Sequence, residues 1–270
     1  MTVTAILDQL KRDKINDLLQ QGTRIDGRSF NELRCLNIET GVIPKADGSA
    51  RVHLGDSDVI CGIKIQPDRP FPDVGDKGIF ICTAELLPFS HPTVETGPPN
   101  EAVIELARVV DRGIRESKMI DLSQLVIKKD KSVIGVFADN TVLDYDGNLF
   151  DACSYAATAA ILSAKTPRWE MRDDAPAMTD DEKELLPTTT IPVSITMGKI
   201  GGHIIVDPSG DEWDCLDARI TITGDSNNNI CALQKGGKDG FTMDELVQCG
   251  KTAIDLAGDI RRTLEAVRDG

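Results

Sequence analysis

Asp144-Tyr145-Asp146-Gly147-Asn148-Leu149-Phe150-Asp151-Ala152-Cys153-Ser154-Tyr155-Ala156-Ala157-Thr158-Ala159-Ala160-Ile161-Leu162-Ser163-Ala164 reads as a strand end, a glycine turn and a helix of small residues. The strand is the tail of an apolar run, Val133 to Tyr145, in which Gly135-Val136-Phe137-Ala138 has the near-continuous apolar character of a buried strand. The helix, expected over Asp151 to Lys165, is rich in alanine and serine, as suits close packing on a sheet. A glycine turn between strand and helix presents free backbone N–H groups at the positive helix end, an arrangement that binds anions. Yet Asp144, Asp146 and Asp151 surround this turn, and no lysine or arginine lies between Lys131 and Lys165. The shape suits a phosphate and the charge opposes one; the same residues also read as a plain turn in which Asp151 favours the helix start.

Working outward, Ile6, Leu7, Leu10, Ile15, Leu18 and Leu19 recur at roughly helical spacing among charges, which predicts an amphipathic helix over residues 4–20 ended by Gly22. From Arg34 to Glu85, short β-type runs alternate with Gly, Pro and Asp clusters, the pattern of an antiparallel or mixed sheet. Pro98-Pro99-Asn100 stops that pattern, and Glu101 to Lys118 has helical periodicity. Thr166 to Pro187 is polar and punctuated by proline, and reads as a linker or long connection. Strands are expected over 189–197, 202–207, 218–223 and 230–234, then a long helix from about Met243 to Val267, opened by a capping box of Thr242 and Glu245. This order gives an α+β class with two β–α lobes, the second smaller.

The 270 residues, 40% hydrophobic and 27% charged, suffice for a full core in one large domain or two lobes. A formal charge of −14 disfavours broad electrostatic binding to nucleic acid, so any RNA or DNA contact has to use a local basic patch. Asp, Lys and Arg interrupt the N-terminal apolar residues, and no later window reaches membrane-spanning length without a charge, so no signal peptide, span or membrane partner is expected. Seven cysteines form no CxxC pair and mostly sit in apolar runs, which predicts reduced core residues and a cytoplasmic location. His53, His91 and His203 fall in no paired ligand spacing, so neither a metal nor a cofactor is expected.

Two further features carry alternatives. Arg108, Arg112 and Arg115 recur at i, i+4 and i+7 and share one helix face, roughly opposite Val103, Leu106, Val110 and Ile114. Three guanidinium groups in a row can grip phosphates. They can equally form a salt-bridged surface, Glu105 with Arg108, Asp111 with Arg115 and Arg112 with Glu116. The acidic run from Asp207 to Asp217 could hold Mg²⁺ or act as a general-acid cluster, or it is a strand-to-strand loop with solvated carboxylates; its spacing fits no metal-loop pattern.

Arg24-Ile25-Asp26-Gly27-Arg28, Asp111-Arg112-Gly113-Ile114-Arg115-Glu116-Ser117, Val142-Leu143-Asp144-Tyr145-Asp146-Gly147 and Val206-Asp207-Pro208-Ser209 occur in order and together resemble the RNase PH family, and within it the non-catalytic ring subunits of the archaeal exosome. The resemblance implies the RNase PH fold, two ribosomal-protein-domain-like β–α lobes, with an N-terminal helix at 1–21 and domains at 22–187 and 188–270. It implies a hexameric ring of three heterodimers in which such a subunit alternates with a catalytic RNase PH-like sister, beneath RNA-binding cap subunits. Single-stranded RNA enters the channel of such a ring and is degraded from its 3′ end by phosphorolysis.

Departures from the family pattern set the expected role. Active members carry Gly-Gly-Thr-Arg or a similar basic phosphate loop where this chain has Gly147, Asn148, Leu149 and Phe150, so Phe150 stands in place of the arginine. They also place two aspartates six residues apart after the next strand; Asp207 matches the first, and the second position falls on Trp213. The resemblance therefore implies a degenerate phosphate loop, a degenerate catalytic loop and no catalytic residue of the chain's own. It implies RNA contact by Arg112, which aligns with a family arginine facing the RNA site, and by Arg115 on the same face. The alternative is an active phosphate-dependent exoribonuclease using Asp207 and a nearby carboxylate. The N-terminal apolar stripe is expected to wrap the sister subunit.

Overall fold

A computed structural model of the chain describes residues 3–269. Helix α1 (Val3–Gln20) forms where the apolar spacing places it. Its Ile15 and Leu19 are buried against Ile200, Ile205 and Cys215 of the same chain, while Leu7 and Leu10 stand exposed. The stripe expected to wrap a partner is thus partly consumed at home; the Ile6 side chain lies outside the described residues.

The β-type runs of the first half pair into one mixed sheet. Strands β1 (Leu36–Thr40), β2 (Gly48–Leu54), β3 (Ser57–Asp68), β4 (Ile79–Leu86), β5 (Val126–Lys128) and β6 (Ser132–Asp144) take the order β1-β2-β3-β6-β4, with β5 also on β6. Only β4 runs parallel to its partner β6. A parallel pair needs a crossover, and the chain supplies it as α2 (Glu101–Glu116). The side chain of Asn100 accepts the Val103 N–H at 3.0 Å and caps α2, whose stripe of Val103, Leu106, Val109, Val110 and Ile114 is buried.

Helix α3 (Leu149–Ser163) begins two residues earlier than composition suggests. Asn148, not Asp151, is its N-cap, so Phe150 lies inside the first turn. Every residue from Leu149 to Leu162 is buried, because α3 packs on β2, β3 and β6 on one side and on the second sheet on the other. Alanine and serine allow that closeness; a Cβ on Gly48 would lie 2.5 Å from the Ala160 carbonyl oxygen.

The stretch expected as a linker is a β-hairpin, β7 (Lys165–Arg172) and β8 (Ala175–Leu185). Asp173 and Asp174, both at positive φ (49° and 61°), make its tight turn, the backbone that right-twisted hairpins require. Pro167 and Pro176 are accommodated because a two-stranded ribbon leaves alternate N–H groups unpaired.

The second sheet is antiparallel: β9 (Val193–Ile200), β10 (His203–Val206), β11 (Ala218–Gly224) and β12 (Ile230–Gly237), in the order β10-β9-β11-β12. A single turn, α4 (Gly210–Trp213), interrupts the acidic run between β10 and β11. The closing helix α5 (Met243–Asp269) has the expected capping box, with the Thr242 N–H donating to Glu245 Oε2 at 2.7 Å and the Glu245 N–H to Thr242 Oγ1 at 3.3 Å. The cysteines are all free; five are buried, Cys231 is half-buried and Cys35 is exposed. No helix among the described residues is long and apolar enough to cross a membrane.

Candidate functional site

Gly147 is buried, and its turn is pressed against the second lobe. Gly147 has φ 83°, and a Cβ there would lie 2.5 Å from the Pro208 carbonyl oxygen and 2.6 Å from the Ser209 carbonyl carbon. The Asn148 N–H donates to Pro208 O at 3.2 Å, and the Gly210 N–H donates to Asp146 Oδ1 at 3.0 Å. Backbone 208–210 from the second lobe therefore occupies the space that the turn's shape suggests for an anion.

Two carboxylates of the acidic run, Asp207 and Glu212, are buried and clamped, while Asp211 and Asp214 stay exposed as a solvated loop would have them. Asp207 is completely buried, and Arg34 grips it with Nε on Oδ2 at 2.9 Å and Nη2 on Oδ1 at 2.8 Å, while the Arg34 backbone N–H adds 2.9 Å to Oδ2. Asn148 Nδ2 donates both to Asp207 Oδ1 at 2.9 Å and to Asp151 Oδ2 at 2.8 Å. Glu212, also fully buried, is held by Arg24 through Nε at 2.9 Å and through Nη2, and Arg24 spends its remaining donors on the Val206, Asp207 and Glu32 carbonyls. The outer carboxylates meet α1: Lys11 pairs with Asp211 at 2.7 Å and with Asp214 at 3.4 Å, and Arg12 with Asp217. Arg24 and Arg28, both in the first matched segment, thus face the second lobe; Arg28 donates to the Asp207 carbonyl at 3.1 Å.

Charge states follow from these contacts. Burial, then the neighbouring Asp207 charge, pushes the Asp151 carboxyl up to about 7 against hydrogen bonds from Thr196 and Asn148. Burial acts the same way on Asp207, but hydrogen bonds and charge from Arg34 outweigh it and hold that carboxyl below the ordinary value. Asp207 is therefore an ionised carboxylate whose oxygens are already engaged. A general acid or base must come within hydrogen-bond reach of its substrate. Among the described residues no group of three or more His, Cys, Asp or Glu is placed to hold a metal ion.

Phe150 is buried and stacks on Trp213, with ring centroids 5.9 Å apart at 30°. Over Phe150 lies the guanidinium of Arg219 from β11, 4.3 Å from the ring centroid and 5.7 Å from that of Trp213. A cation does reach the turn, from a strand that nothing in the sequence links to it. The three residues border a cleft of 890 Å³ together with Glu85, Glu95 and Glu105, and among the described residues Arg219 is the only basic one that lines it. Arg219 is itself ion-paired to Glu105, so the cleft carries net negative charge and disfavours phosphate.

On α2 the three arginines differ. Arg115 is chelated by Asp111 through Nε at 3.0 Å and Nη2 at 2.9 Å, donates to the Phe80 carbonyl at 2.7 Å and lies over the Phe80 ring. Arg112 is half-buried, and its one side-chain hydrogen bond among the described residues is to a neutral group, Gln234 Oε1, at 3.0 Å; the expected pairing with Glu116 is absent. Arg108 is exposed and makes no ion pair among the described residues, since its expected partner Glu105 is taken by Arg219. The Asp111–Arg115 pair is the one of the three expected local pairings that forms. Sequence reasoning missed Arg34 and Arg219 and gave Arg24 no role beyond its motif, because their carboxylate partners Asp207, Glu105 and Glu212 lie far away in the chain.

The comparisons agree with this architecture. Residues 32–167 match the 3′ exoribonuclease family, domain 1, and residues 190–255 its domain 2. An exosome complex component Rrp42 from Thermococcus gammatolerans is 47% identical over 269 residues, which is 99% of this chain and 98% of that protein. Among solved structures, a chain of the Archaeoglobus fulgidus exosome with RNA bound to the active site superposes with a TM-score of 0.89 at 44% identity, covering 96% of this chain and 99% of that one. A chain of an archaeal exosome core superposes with a TM-score of 0.86 at 40% identity, covering 98% of this chain and 100% of that one. With both domains matched in order and relatives aligned along essentially its whole length, the chain belongs to the RNase PH family of 3′ exoribonucleases.

Proposed function

We propose that this chain is a non-catalytic ring subunit of an exosome, one that shapes the active site of a catalytic RNase PH-like sister and lends it RNA contacts. The observation that carries this reading is the state of Asp207: buried, ionised, gripped at both oxygens by Arg34 and Asn148, and so withdrawn from any substrate. The altered loop supports it, since Phe150 stands where a phosphate-binding cation belongs and the single guanidinium above it is already paired with Glu105. Gly147, Asn148, Leu149 and Phe150 are then a degenerate phosphate loop, and Asp207 with Trp213 a degenerate catalytic one. Full-length likeness to exosome components supports assembly into a ring with the sister subunit, RNA-binding caps and single-stranded RNA. Free cysteines fit work in a reducing cytoplasm.

RNA contact falls to Arg112 first and Arg115 second. Arg112 has no carboxylate partner among the described residues, so its charge is available to a phosphate; Arg115 must share its charge with Asp111. The purified chain, incubated with single-stranded RNA and inorganic phosphate, is expected to release no nucleoside diphosphates, and a mixture with the sister subunit is expected to release them. Release by the isolated chain would overturn the reading in favour of an enzyme acting through Asp207. In the assembled ring, Arg112→Glu is expected to weaken RNA binding by roughly tenfold or more at fixed salt while the particle mass stays unchanged.

A further inference from the structure

Arg112 sits at one end of a hydrogen-bonded chain that runs to the altered loop. Its Nη1 donates to Gln234 Oε1 at 3.0 Å, and Gln234 Nε2 donates to Glu105 Oε1 at 3.1 Å. The other oxygen of Glu105 receives Arg219, whose guanidinium lies against Phe150 and Trp213. We propose that Gln234 and Glu105 are positioning residues for Arg112, with the Phe150–Trp213–Arg219 stack as their anchor.

The direction of the chain follows from the donor inventory. A carboxylate only accepts, so Glu105 draws the NH₂ end of the Gln234 amide toward itself and turns the carbonyl end toward Arg112. Glu105 is in turn fixed by Arg219, an 11% exposed side chain whose position is set by two aromatic rings. The last link is neutral, and that is its use. An amide oxygen orients the long guanidinium side chain without neutralising it, whereas the carboxylate beside Arg115 does both. Arg112 is left aimed and fully charged, the state in which an arginine binds a phosphate diester best. On this inference, which rests on the reading that Arg112 contacts RNA, the loop that lost its phosphate became the footing of a contact made elsewhere.

The test is a double-mutant cycle in the reconstituted ring, read as affinity for single-stranded RNA across a salt series. Gln234→Leu is expected to weaken binding roughly three- to tenfold in the parent background and to have no further effect beside Arg112→Ala. Arg112→Ala should lower the slope of log affinity against log salt by about one charge, and Gln234→Leu should leave that slope unchanged, because the cation is still present but no longer aimed. Glu105→Gln, which frees the amide to flip, should reproduce the Gln234→Leu loss and serves if that variant fails to assemble. Equal losses from Gln234→Leu with and without Arg112 would overturn the inference and leave RNA contact by Arg112 standing. No loss from Arg112→Ala would remove the contact itself, and the inference with it.

Discussion

Arg34→Met is expected to lower the stability of the chain by about 3–5 kcal/mol, the scale for removing one partner of a buried ion pair. Arg34 is 9% exposed and makes three hydrogen bonds to Asp207, counting its backbone N–H; its Nη1 also reaches the carbonyl and carboxylate of Asp146. Methionine fills the space and leaves a buried carboxylate with Asn148 and the more distant Arg28 as its remaining side-chain partners. The deficit has a predictable pH dependence. In the parent, the folded Asp207 pKa is depressed, so its stabilising contribution is present above the ordinary aspartate value and is lost as pH falls through the lower folded value. In the variant the folded pKa rises, and stability falls as pH rises through it. The difference between the two proteins should be largest near pH 7 and shrink toward pH 4. Asp151, raised to about 7 in part by the Asp207 charge, is coupled to this pair, so its titration overlaps the upper end of the same window and is part of the measured difference. Urea midpoints across pH measure this; a difference below about 1 kcal/mol at pH 7 would mean that Asp207 does not depend on Arg34.

Gly147→Ala is expected to destabilise by about 2–5 kcal/mol, from the left-handed backbone and from overpacking together. The obstruction is backbone, Pro208 to Gly210, at 2.5–2.8 Å from the new Cβ, and backbone cannot swing aside as a side-chain tip can. Gly27 provides the control. It has the same φ of 83° with nothing within 4 Å of where a Cβ would stand, so Gly27→Ala should lose only the conformational part, about 1–2 kcal/mol. Equal losses at the two sites would show that the turn is not pressed against the second lobe.

What could be read from the sequence divides along a physical line. Helices α2 and α5 were legible because their signals are local: an apolar stripe after the Pro98-Pro99-Asn100 break, and a Thr242–Glu245 box three residues apart. The strand, turn and helix around Gly147 were legible for the same reason. The β7–β8 hairpin was not, since prolines and paired aspartates signal a loop until a two-stranded ribbon with a φ-positive turn makes use of them. Within the acidic run, Asp207 and Glu212 could not be told from their exposed neighbours because their partners are far away in the chain: Arg24 is 188 residues from Glu212 and Arg34 is 173 from Asp207. Nothing in a local window distinguishes a carboxylate facing water from one facing a distant guanidinium. Arg219 was hidden too, as one of several polar positions alternating along β11, with its ion-pair partner Glu105 114 residues earlier in the chain.

The placement of Arg219 over Phe150 also limits what position 150 can hold. An arginine introduced at 150 would start where a guanidinium already lies 4.3 Å from the present ring, and two like charges would share a half-closed cleft. It would also remove the face on which Arg219 rests, and with it the stack against Trp213. Phe150→Arg alone is therefore expected to destabilise this cluster. Phe150, Trp213 and Arg219 hold one another in place, so a basic residue at 150 would be accommodated only with matching changes at the other two positions.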